Sequence, residues 1–178
     1  MEEWIRNEEK YNGKVVRLIV GEARLEDGSV AHREMIKHSG GAAVVPVLDD
    51  SIIMVRQYRI AIDKDILEIP AGKIDPGERP KDCARRELEE ETGYKAGRLM
   101  PAGAFYPSVG YTDEIIYIYL GFDLEKTDRK LDSDERIRVV RFSIEEMREK
   151  LAAREIEDSK SIIGLNEFFR YRGETCRP

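Results

Sequence analysis

The segment from Gly72 to Tyr94, GKIDPGERPKDCARRELEEETGY, constrains this chain more than any other, because four of the five residues from Glu87 to Glu91 are glutamates. Pro80 suits a first helical position and Gly93 a helix end, so a helix is predicted between them. On that helix Glu87, Glu90 and Glu91 fall at i, i+3 and i+4 and share one face. Like charges so spaced each cost roughly a few tenths of a kcal/mol. Arg85 stands four residues before Glu89 and Arg86 four before Glu90, which offsets part of that cost. One turn before Glu87 lie only Cys83 and Ala84, and Lys95 falls beyond Gly93. Neutralisation of Glu87 and Glu91 is therefore expected from outside the helix.

Around this helix the chain alternates strands and turns. KVVRLIVGEARLEDGSVAHREMIKH holds two β-branched runs about a hairpin turn, which predicts an N-terminal β ribbon over residues 1–40. Ala43 to Leu48 and Ile52 to Tyr58 read as strands joined at Asp49 and Asp50, the first covered on both faces given Val44, Val45 and Val47. DILEIPAGK reads as a short strand ended by Pro70 and Gly72. DEIIYIYLGFDL and RIRVVRFS are strands by content. Ser143 with Glu146 forms a capping-box pattern opening a helix to about Leu151, and a second helix is predicted from about Ser159 to Tyr171. Mixed strands, one central helix and a helical end predict an α/β/α layered fold over residues 41–178.

At 178 residues the chain suits one domain with a small appendage. Its net charge of −6 disfavours a nucleic-acid partner, because phosphate contacts need concentrated Lys and Arg. No apolar run approaches the roughly 20 residues that cross a bilayer, and MEEWIRNEEK lacks a signal peptide's apolar stretch. A cytoplasmic protein without a membrane partner is expected. Cys83 and Cys176 match no metal spacing and are expected to be free thiols.

An anionic substrate would then need metal ions or local arginines. Hard divalent cations, Mg²⁺ or Mn²⁺, suit clustered carboxylates. His32 and His38 both precede the predicted core, which argues against zinc. An acidic helix face taken alone is more often merely solvated. The flanking loop shifts that balance: Gly72 stands at a strand end, Gly77 permits a tight turn after Pro76, and Glu78 stands before the helix where its carboxylate can hold the loop.

Gly72, Glu78, Arg86, Glu87, Leu88, Glu90, Glu91, Gly93 and Tyr94 together read G-x5-E-x7-R-E-L-x-E-E-x-G-Y. This register resembles the signature of the Nudix hydrolases, with Tyr94 at a position more often aliphatic. The resemblance implies a Nudix-type α/β/α sandwich with a mixed sheet and an N-terminal antiparallel β extension. It implies water attack on a phosphorus of a nucleoside diphosphate derivative, with bound divalent metal. It makes Glu87 and Glu91 the principal metal ligands, Glu90 a further one and the Ala71 carbonyl another, while Arg86 and Glu78 orient the carboxylates.

VRQYR, LEIPAGK, FYPSVGYTDE and DSDERIRV extend the resemblance to the ADP-ribose pyrophosphatase branch, over roughly residues 33 to 172. Within that branch Arg59 resembles a substrate-phosphate arginine, and HRE, with Arg33 and Glu34, a nucleotide-contacting segment. Ser108, Gly110 and Glu114 match the downstream substrate loop, which departs from the branch at Val109 where proline is usual. Glu135 matches a glutamate that binds metal or activates water, with Glu90 the second choice for that base. In the branch the N-terminal strands build a homodimer. Trp4 has three readings: stacking on adenine, filling a dimer interface, or packing within its own ribbon. The resemblance implies hydrolysis of ADP-ribose to AMP and ribose 5-phosphate. Another nucleoside diphosphate derivative, or a non-catalytic nucleotide-binding module, is the rival.

Overall fold

The computed structural model describes residues 1–131 and 136–174. It divides into two units, one of residues 1–40 with 106–115, the other of residues 41–105 with 116–178. The first unit thus includes an internal segment as well as the N-terminal stretch.

In the first unit β1 (Glu3–Asn12), β2 (Arg17–Arg24) and β3 (Val30–Lys37) form an antiparallel sheet in that order. The EDGS turn falls between β2 and β3 as expected, with Gly28 at φ 84°, a conformation open to glycine. The strand β1 was not legible in the sequence. Its EWIRNEEKYN is too polar for a strand signal, and every residue of it is exposed. Backbone pairing with β2 makes it a strand.

The second unit is built on a mixed sheet. Its strands are β4 (Gly41–Leu48), β5 (Ser51–Arg59), β6 (Lys64–Glu68), β7 (Ala71–Lys73), β8 (Tyr94–Phe105), β9 (Ile116–Lys126) and β10 (Ile137–Ser143). They run in the order β10-β5-β4-β9-β8, with β6 beside β5 and β7 beside β4. Among the described strands of this sheet only β4 and β9 pair in parallel. The segment expected as one strand ended by Pro70 and Gly72 is two strands, since Pro70 interrupts the first and Ala71–Lys73 switch to β4. The strand β8 also escaped sequence reading, because Gly97, Pro101 and Gly103 are strand breakers. It lies at the sheet edge, where proline costs no ladder bond, and a register shift at Pro101/Gly103 absorbs the irregularity.

Helix α1 (Pro80–Thr92) begins and ends where expected: Pro80 opens it and Gly93, at φ 72°, closes it with its N–H on the Glu89 carbonyl. Helices α2 (Ile144–Ala152) and α3 (Ser159–Tyr171) complete the layers. Ser143 and Glu146 form the predicted capping box. Successive β4 residues point to opposite faces. Ala42 and Val44 pack with Leu88 and Ala84 of α1, whereas Ala43 and Val45 pack with Leu165, Phe168 and Phe169 of α3. That alternation is the α/β/α sandwich, and it explains why β4 reads as a continuous apolar run. A Cβ on Gly164 would come within 3.0 Å of Val45 and Ile69, so glycine there lets α3 lie close on the sheet.

Candidate active site

The loop before α1 is a turn closed by the Glu78 N–H on the Asp75 carbonyl at 3.0 Å, with Gly77 at φ 79°. The Glu78 carboxylate reaches back to the Asp75 N–H at 3.1 Å and forward to Arg86. Arg86 is the hub of the site. Its Nε and Nη2 donate to the two Glu78 oxygens, each at 2.9 Å. Its Nη1 donates to Glu87 Oε1 at 2.6 Å and Glu90 Oε2 at 3.0 Å, and Nη2 also reaches the Lys73 carbonyl at 3.2 Å. All five guanidinium N–H groups thus have acceptors. This corrects the expectation that Glu87 finds no relief on its own helix: a planar fork pinned by Glu78 can reach the adjacent residue, which a one-turn spacing rule does not foresee.

Glu87 and Glu91 are both buried. A Cβ built on Gly72 would lie 1.9 Å from Glu87 Oε1, so the carboxylate rests directly over this glycine and no larger residue fits. Glu91 Oε2 accepts the Ala71 N–H at 3.0 Å. The two carboxylates therefore lie along adjacent residues of β7, and Glu90, whose side chain is 39% exposed, shares Arg86 Nη1 with Glu87. Three carboxylates, Glu78, Glu87 and Glu90, share one guanidinium. The bonds from Arg86 hold Glu78 below the usual carboxylate range, and those from Glu78, despite partial burial, raise Arg86 above its own. The helix's far end is tied by Arg129, which sequence reasoning missed, through the carbonyls of Glu91 at 2.5 Å and Ile137 at 2.7 Å.

Among the described residues no group of three or more acidic, histidine or cysteine side chains is gathered to hold a metal ion. The donor chemistry nevertheless fits a hard divalent cation: the buried carboxylates of Glu87 and Glu91, with acid in excess of base. Glu135, expected as a ligand or base, lies outside the described residues, as does Cys176. Cys83 is buried against the Gly72 and Lys73 carbonyls, and burial pushes its thiol up to about 12. It is a packing residue there.

Arg59 lies in the same unit but apart from Arg86's network. It forms a two-pronged pair with Glu68, at 2.6 and 2.9 Å. Glu68, almost fully buried, was not singled out in the sequence. Its place in LEIPAGK carries no charge-pattern signal, and burial alone reveals it.

In the first unit a cavity of about 380 Å³ is lined by Trp4, Arg33, Glu34 and Gly110, together with Met35 and Val109. Arg33 holds Glu2 through Nε at 2.9 Å and Nη2 at 2.7 Å. The Ser108 carbonyl accepts the Thr112 N–H at 3.2 Å, closing a turn with Val109 at its exposed tip. Glu114 lies 3.5 Å from His38 Nδ1. Asp113, which the sequence did not mark, anchors this loop through the His38 N–H at 2.9 Å and Lys37 at 2.8 Å.

The mixed sheet between helical layers, with an acid-rich helix set against β7, defines the Nudix type of α/β/α protein. Residues 37–162 match the NUDIX domain, and the chain belongs to that family of hydrolases. It is 42% identical over 167 residues to the ADP-ribose pyrophosphatase of Bacillus subtilis (strain 168), covering 92% of this chain and 90% of that one. It is 38% identical over 167 residues, with the same shares of 92% and 90%, to the methanol dehydrogenase activator of Bacillus methanolicus. The fold matches a crystal structure of an ADP compounds hydrolase with TM-score 0.85 and 21% identity, over 98% of this chain and 97% of that one. No helix among the described residues is long and apolar enough to cross a membrane.

Proposed function

We propose that this Nudix hydrolase cleaves the diphosphate bond of ADP-ribose, giving AMP and ribose 5-phosphate, with Mg²⁺ or Mn²⁺ as cofactor. The observation that carries the chemistry is the seating of Glu87 and Glu91 on the adjacent residues Gly72 and Ala71. Those carboxylates, with Glu90 and the Ala71 carbonyl, are the residues to hold the metal, and Glu135 joins them. When bound, the divalent ion screens the diphosphate's charge and lowers the pKa of water.

The chain's own residues do the rest. Glu78 and Arg86 keep the ligand carboxylates oriented. Arg59 binds a substrate phosphate, for which a guanidinium fork is suited. Trp4, Arg33, Glu34, Ser108, Gly110 and Glu114 hold the nucleotide. Glu135 accepts the proton of the attacking water, with Glu90 in reserve. The choice of ADP-ribose is supported by the name of the Bacillus subtilis relative. The N-terminal strands pair two copies into a homodimer. The exposed β1, with Trp4 and Tyr11 on it, supports that role. A cytoplasmic location belongs to the same reading, and cell fractionation tests it.

A substrate panel with product analysis tests the activity. ADP-ribose is expected to turn over faster than GDP-mannose, NADH and diadenosine polyphosphates, with AMP and ribose 5-phosphate as products. Turnover no faster on ADP-ribose defeats the narrow assignment, and absence of any turnover defeats the enzyme in favour of a nucleotide-binding module. Sedimentation of the full chain tests the dimer.

A further inference from the structure

Two cations close on the buried Glu68. Its side chain is 2% exposed, and Arg59 takes both its oxygens. Lys160, in the first turn of α3 and itself only 12% exposed, brings its ammonium to the same Oε2. Lys160 also stands 3.0 Å from Asp158, the residue that caps α3. The turn is fixed to the sheet by Ser161, whose hydroxyl accepts the Ile69 N–H at 2.8 Å and donates to Asp158 at 2.5 Å.

The charges of Arg59, Lys160, Glu68 and Asp158 sum to zero. Without Lys160 they would sum to one negative charge. Arg59 is the exposed member, its side chain 41% accessible. The edge carrying Nε and Nη2 is committed to Glu68, while Nη1 donates no hydrogen bond among the described residues. A phosphate approaching that open edge meets a guanidinium backed by a carboxylate. Whether it meets net attraction depends on what neutralises the carboxylate. At the low effective dielectric of a buried group, a charge one residue behind the arginine is weakly screened.

We propose that Lys160 is a positioning residue for substrate binding: its ammonium neutralises Glu68, so that Arg59 keeps both its place and its positive charge for a substrate phosphate. The inference rests on the reading of Arg59 as a phosphate-binding arginine. Stability alone does not require the pair, because buried ion pairs are often replaceable as a whole by apolar packing.

The test is steady-state kinetics with Mg²⁺ on ADP-ribose, or on whichever derivative of the panel the intact enzyme turns over fastest. The variants are Lys160→Met, Lys160→Gln, Lys160→Arg, Arg59→Met and the double variant Lys160→Met with Arg59→Met, each checked by a thermal melt. Arg59→Met is expected to raise KM by roughly 10- to 100-fold, and Lys160→Met by about 5- to 10-fold with kcat nearly unchanged. Lys160→Gln, which keeps a donor but no charge, should behave like Lys160→Met, and Lys160→Arg should restore most of the affinity. The double variant should be no worse than Arg59→Met, since Lys160 acts through that residue. An unchanged KM in Lys160→Met, full restoration by Gln, or multiplied effects in the double variant overturns the proposal. Should Lys160→Met fail to fold, Lys160→Gln against Lys160→Arg decides it. An unchanged KM in Arg59→Met overturns the proposal together with the role of Arg59, and leaves the hydrolase reading standing.

Discussion

The two units use the same ion pairs to different ends. On the N-terminal sheet Arg6 holds Glu22 with two bonds, at 3.0 and 2.8 Å, while its side chain stays 74% exposed. Around α1, Arg86 makes bonds of 2.9, 2.6 and 3.0 Å to Glu78, Glu87 and Glu90, but two of these carboxylates are mostly withdrawn from water. Water screens the first pair and competes for it, so its worth is small. In the second, removing Arg86 strands the charges of Glu78 and Glu87, which solvent barely reaches. Bond length says little about consequence, and burial decides it.

The sharpest break of this comparison is Glu91→Gln. It keeps the shape and a polar terminus over Ala71 but removes the charge, and turnover is expected to fall by about 10³-fold with little change in melting temperature. Full activity in that variant would defeat the proposed metal role. Arg86→Met should destabilise the fold by about 2–4 kcal/mol in denaturant titration, because Glu78 and Glu87 lose their counter-charge without gaining solvent. Gly72→Ala forces Glu87 aside, since the added carbon would overlap its carboxylate. Turnover should fall roughly 10- to 100-fold, with the Mg²⁺ concentration for half-activity shifted upward.

A smaller effect follows from acid. Arg86 depresses Glu78 from its ordinary value near 4.5. A carboxylate whose folded pKa lies below the unfolded one contributes stability above the unfolded pKa and loses it as pH falls through the folded value. Melting temperature should therefore drop as the pH is lowered below about 4.5, and more shallowly in Arg86→Met, where Glu78 is no longer depressed. At the weak end, Glu22→Gln on the exposed sheet should move the melting temperature by no more than about 2 °C, and less in high salt. A larger loss there would mean that this face is covered.

Legibility followed the range of the interactions. Helix α1 could be bounded to the residue because Pro80 and Gly93 act on their own backbone, and the glutamate register follows from helix geometry alone. The capping box at Ser143 is equally local. Strand β8 was hidden because its glycines and proline argue against a strand, and only pairing with β9 overrides them. Glu68 stayed hidden for the same reason. Its partner Lys160 is 92 residues away, and nothing near either marks them as a pair.

The order of residues from Gly72 to Gly93 by itself determined a helix with its acids on one side and a glycine-bearing strand before it, since caps and periodicity need no distant partner. Folding decided which acids lose water, that Arg86 grips three of them, and that Lys160 meets Glu68. Burial and charge pairing depend on what the rest of the chain brings alongside, and no local pattern encodes that.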